Sequence, residues 1–95
     1  MTKVSIPTPL RQFTEQKDEV ELSGATVGEV LGGLTAQFTG LKNHLFNDEG
    51  KLRSFVNVYL NDEDIRYLEK TDTAVKEGDT ITIIPSIAGG LAIYF

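Results

Sequence analysis

A single helical stripe set between groups of strand-like runs constrains the fold more than any other feature of this chain. From Thr26 onward, Val27, Val30, Leu31, Leu34 and Phe38 recur at helical spacing, which puts them on one face of a helix. Thr26 can cap that helix, and Glu29 three residues later completes a capping box. Gly40 is the expected stop. Gly32-Gly33 weakens the helix by about 1 kcal/mol per glycine relative to alanine, and the missing side chains would let it lie close on a sheet.

A helix with one apolar face needs a partner layer, and the rest of the chain supplies strands. Lys3 to Pro7 alternates, with Val4 and Ile6 on one face. Pro7 and Pro9 end that strand, because neither can donate to a ladder. Thr14 to Asp18 reads as a turn into a second strand at Glu19 to Leu22, which buries Val20 and Leu22. Leu41 to Gly50 is a connection with a short helical turn containing His44, Leu45 and Phe46.

Phe55 to Leu60 is the strongest strand. Val56, Val58 and Leu60 point one way, and Phe55, Asn57 and Tyr59 the other. Asn61 to Asp64 is read as a turn, with Ile65-Arg66-Tyr67 returning as a short strand. Leu68 to Val75 is irregular, Lys76 to Asp79 is a turn, and Thr80 to Pro85 is a last strand with Ile81 and Ile83 inward. Grouped strands around one helix indicate an α+β fold. The simplest arrangement is a β-grasp: a mixed sheet packed on one main helix, its last strand central beside the first. Residues 1–85 would form the domain and residues 86–95 a C-terminal tail.

Ninety-five residues suffice for one domain. Nine basic against fourteen acidic residues give a net charge of -5, which disfavours nucleic acid, where affinity comes mainly from Lys and Arg. The same charge weakly favours partners with basic surfaces. The absence of cysteine removes disulfides, thiolate metal sites and cysteine nucleophiles together. No apolar run approaches the roughly 20 residues needed to span a bilayer, and Met1-Thr2-Lys3-Val4 begins no signal peptide. A cytoplasmic location without membrane association is the expectation.

Few side chains look chemical. His44, the sole histidine, sits in a mixed segment that suits a surface or half-buried loop residue. Asp62, Glu63 and Asp64 lack partner ligands at metal-binding spacing and read as a solvated turn. Arg11, Arg53 and Arg66 read as surface residues, with nothing to make them an anion site. Phe55, Tyr59 and Ile84 weigh more, because they lie opposite the inward residues of their strands. With one helix covering one side of the sheet, they become a candidate docking cluster. No catalytic residue, bound cofactor or metal ligand is expected.

Three stretches carry a family resemblance: Val4-Ser5-Ile6-Pro7-Thr8-Pro9-Leu10-Arg11, Phe55 to Arg66, and Glu77-Gly78-Asp79-Thr80-Ile81-Thr82-Ile83-Ile84-Pro85-Ser86-Ile87-Ala88-Gly89-Gly90. Together they resemble the MoaD/ThiS family of ubiquitin-like sulfur carriers over residues 3–90. Within it the chain is most similar to the CysO type, carriers of thiocarboxylate-dependent cysteine synthesis. The resemblance implies a β-grasp protein that is not itself an enzyme. It offers the carboxylate of its terminal glycine to an adenylating enzyme of the MoeB/ThiF kind, which uses ATP. Sulfur displaces the adenylate, and the thiocarboxylate then delivers sulfide to a cysteine-synthase-like acceptor enzyme.

On that resemblance Gly90 is the adenylation and thiocarboxylate site, with Ala88 and Gly89 threading the tail into the partner. Glycine has no Cβ, so Gly89-Gly90 forms a thin thread suited to a narrow channel. One departure stands out. Leu91-Ala92-Ile93-Tyr94-Phe95 follows Gly90, whose carboxyl is therefore in a peptide bond. The chain reads as a precursor cleaved between Gly90 and Leu91 by a metalloprotease. Two other readings stand beside it: a non-covalent β-grasp interaction module, or a ubiquitin-like modifier attached to lysines. Gly-Gly as a simple turn, with the apolar tail packing as an extra strand, is the plainer alternative for the C-terminus.

Overall fold

The helical stripe folds on a five-stranded sheet in a computed structural model that describes residues 1–85. Helix α1 runs Val27–Gln37 and buries Val27, Val30, Leu31 and Leu34, with Phe38 buried just past its end. Thr26 Oγ1 accepts the Glu29 amide at 3.2 Å, as the capping box requires. The reciprocal bond falls one residue upstream, where Glu29 Oε1 accepts from the Ala25 amide at 3.0 Å. The helix stops before Gly40. Thr39–Leu41 tightens into a 3₁₀ turn and leads into the short helix α2, Lys42–Leu45.

The strands are β1 (Thr2–Ser5), β2 (Glu19–Leu22), β3 (Val56–Leu60), β4 (Glu63–Asp64) and β5 (Thr80–Pro85). They lie in the order β2-β1-β5-β3-β4. β5 is parallel to β1, with Val4 opposite Ile81, and antiparallel to β3, with Val56 opposite Pro85 and Leu60 opposite Ile81. The last strand is thus central beside the first, the β-grasp arrangement read from the sequence. Val4, Val20, Val58, Ile81 and Ile83 meet α1 from the inner face of this sheet in one buried cluster.

Two local expectations are corrected, and a 3₁₀ turn lies where no element was expected. Ile65-Arg66-Tyr67 is not a strand but a 3₁₀ turn, and the strand falls earlier, on Glu63–Asp64. The cause is the Asp64 carboxylate, which accepts the Arg66 amide at 2.9 Å and caps a tight turn in place of extended backbone. Thr8–Phe13 also coils into a 3₁₀ turn ahead of the Thr14–Asp18 reversal, with Leu10 buried inside it. The Gly32-Gly33 pair does not let the helix approach its sheet. A Cβ on Gly32 would meet nothing within 4 Å, and one on Gly33 only an ordinary contact with Leu22. The close approach is at Gly28, where a Cβ would stand 3.2 Å from the Thr71 carbonyl oxygen.

Among the described residues, no helix is long and apolar enough to cross a membrane. Ser86 to Phe95, including Ala88, Gly89, Gly90 and Leu91, lie outside the described residues.

Candidate docking face and carrier end

Helix α1 covers the inner side of the sheet, so the alternate residues of β3 and β5 form an outer face. Ile84 stands on it with 45% of its surface exposed, an unusual value for an isoleucine in a central strand. Asn57 lies directly opposite Ile84 in register, and Tyr59 lies opposite Thr82 on one side and Asp64 on the other. Tyr59 and Phe55 are both half-buried. Phe55 packs against the core cluster, so of the three docking candidates Ile84 presents the most open surface.

An ion pair borders this face. Arg66 Nη2 lies 2.8 Å from Asp64 Oδ2, and Nε donates to both carboxylate oxygens at 3.2 Å. The same Nη2 donates to Asn57 Oδ1 at 2.7 Å, tying the 3₁₀ turn to β3. These hydrogen bonds hold the Asp64 carboxyl below its ordinary pKa and raise that of the guanidinium. The next residue, Tyr67, is 88% exposed. A tyrosine beside an arginine at the border of an open face has the composition of a binding anchor. The sequence reading missed it by placing residues 65–67 in a strand; the signal available was the aspartate two residues before the arginine.

The other candidates have structural roles. His44 stacks on Phe13, ring centroids 4.4 Å apart, and burial with the nearby Arg53 charge lowers its pKa. Asp62 and Glu63 are exposed at the β3–β4 turn. Among the described residues, no three His, Cys, Asp or Glu side chains group closely enough to hold a metal ion. Arg11 Nε donates to the Ile6 carbonyl at 3.0 Å and Arg53 Nε to that of Asn43 at 2.7 Å.

Strand β5 is the last described element before Gly89-Gly90. Pro85, its last residue, lies beside Val56 at the start of β3, and the chain continues from there towards Gly89-Gly90. Gly90 is five residues further on, so an extended backbone limits it to about 17 Å from Pro85.

Residues 4–90 match the ThiS family. The chain is 45% identical over 89 residues to the sulfur carrier protein CysO of Mycobacterium tuberculosis strain H37Rv, covering 92% of this chain and 96% of that protein. Small archaeal modifier protein 3 of Haloferax volcanii is 39% identical over 66 residues, 70% of this chain and 71% of that protein. The fold superimposes with a TM-score of 0.87 on a chain of the Amycolatopsis orientalis BexX/CysO complex, at 46% identity, covering 95% of this chain and 100% of that one. These relatives are carrier and modifier proteins of the ubiquitin-like β-grasp fold rather than enzymes. Sequence and fold agree over nearly the whole length, and this chain belongs to the ThiS family.

Proposed function

We propose that this chain is the precursor of a sulfur carrier whose working end is Gly90. The observation that carries this reading is a coincidence of boundaries: the family match ends at residue 90, on the second glycine of the pair, with five residues still to follow. A metalloprotease hydrolyses the Gly90–Leu91 bond and frees the Gly90 carboxylate. An adenylating enzyme of the MoeB/ThiF kind joins that carboxylate to the α-phosphorus of ATP, releasing pyrophosphate. Sulfide then displaces AMP, leaving a thiocarboxylate. Its sulfur passes to an acceptor enzyme, by similarity to CysO one of cysteine-synthase type that makes cysteine or a related amino acid.

The division of labour follows from the chemistry. The reacting group is a main-chain carboxylate, so the carrier supplies no base, nucleophile, metal or bound cofactor, and ATP belongs to the partner. The partner supplies positioning and charge stabilisation. Ordering a Gly-Gly thread costs entropy, so a folded docking face must contribute affinity. Ile84, Tyr59 and Phe55 supply that face, with Ala88 and Gly89 entering the channel.

Protein ending at Gly90 is incubated with the adenylating enzyme, ATP and sulfide and weighed intact. The expected product is heavier by the replacement of one oxygen with sulfur, and the 95-residue chain stays unchanged. An unaltered mass for the trimmed protein under conditions that load a known carrier contradicts the proposal. A second reading, a protein modifier, is favoured by the likeness to Haloferax volcanii modifier protein 3. It predicts a bond from Gly90 to lysines of other proteins, seen as higher-mass adducts in cell extract.

A further inference from the structure

The acidic chain carries its basic residues unevenly. A cavity of about 610 Å³ opens between the segment before β3 and the turns after β4, and it is lined by Lys51, Arg53, Arg66 and Lys70. That is four of the nine basic residues and none of the fourteen acidic ones. Residues distant in sequence converge here on one concavity. The floor is apolar, formed by Leu52, Val56 and Ile65.

The four charges are not equivalent. Arg66 is held by Asp64, which partly neutralises it. Lys51 and Lys70 are exposed, and their ammonium groups enter no hydrogen bond or ion pair among the described residues. Lys70 also sits in the left-handed region, at φ 55°, where a side chain other than glycine or asparagine is disfavoured.

The location supplies the partner. Val56, which lines the cavity, pairs with Pro85, the last residue of β5. A protein that binds at the end of β5 therefore lies next to this opening. We propose that the cavity receives an acidic segment of that protein, its carboxylates on Lys51, Lys70 and Arg53 and an apolar side chain on the floor; the identity of the partner rests on the carrier reading above. Exposed lysines around an apolar floor suit an extended acidic peptide better than one small anion, which calls for a rigid fork of donors. Net charge alone pointed to basic partner surfaces; at the tail the complementarity is the reverse.

Two measurements test this. The isotope-labelled 95-residue chain is titrated at low salt with a short synthetic peptide of glutamate and leucine, and amide shifts are followed by NMR. Shifts are expected at residues 50–56 and 65–71, vanishing at about 1 M salt, where the screening length falls to about 3 Å. The Lys51→Glu/Lys70→Glu variant should bind about tenfold more weakly or worse. Lys70→Gly should weaken the peptide and yet raise thermal stability, which a purely structural lysine would not do. Absence of shifts, shifts elsewhere, or equal shifts from the glutamine analogue or inorganic phosphate would overturn the proposal.

In the thiocarboxylate assay, the charge-reversed protein ending at Gly90 should react at least about tenfold more slowly at low carrier concentration and recover at high concentration. Wild-type reaction with an unchanged variant sinks the cavity inference alone. No reaction from wild type sinks the carrier reading, and the peptide titration still decides the cavity.

Discussion

Asp64 redirects a stretch of chain that residue preference would have extended. Its carboxylate takes the Arg66 amide and guanidinium together, so Ile65 turns inward to 3% exposure and Tyr67 turns out into solvent. The bonds to Arg66 depress the folded-state pKa of Asp64 below its ordinary 3.8. A depressed carboxylate contributes stability that is present above the unfolded-state pKa and lost as pH falls through the folded value. The thermal midpoint should therefore fall as pH drops below about 4 in wild type, and less steeply in Asp64→Asn. Equal slopes for the two proteins would show that the pair contributes nothing to acid stability.

Among the elements, α1 was the most legible in the sequence because one residue type at one spacing settles both its existence and its buried face. Strands β2, β3 and β5 were legible through alternation, and β5's central place followed from the β-grasp arrangement of grouped strands around one helix. What escaped was the Asp64 side chain overriding that pattern in place of a strand, and the 3₁₀ turn at Thr8–Phe13, which has no side-chain cap. The two helix glycines make the contrast measurable. Gly32 faces open space, so Gly32→Ala should stabilise by about 1 kcal/mol and raise the melting temperature by roughly 4–8 °C for a domain of this size. Gly28→Ala gains the same propensity but presses on the Thr71 backbone, so its melting temperature should fall short of the Gly32→Ala value. Calorimetry on both variants checks the order.

On the scale of the whole molecule, the fold divides its surface. α1 closes one side of the sheet, the other side carries Ile84, and β5 ends at the corner where the basic cavity opens. Alternation announced the open face, since Ile84 falls opposite Ile83 on the strand. The cavity and the exposure of Tyr67 were not legible, because they depend on residues 50–56 and 65–71 meeting in space. Ile84→Glu should leave the melting temperature within about 2 °C, as befits an exposed position. It should also reduce binding to the adenylating enzyme by about tenfold or more, measured by calorimetric titration; unchanged binding would remove this face from the docking surface. The central claim, that Gly90 becomes the sulfur-bearing end, is tested most directly by the intact mass of the protein recovered from its own cells. The expected species ends at Gly90, a fraction of it with sulfur in place of one carboxyl oxygen. Recovery of only the full 95-residue chain would contradict it.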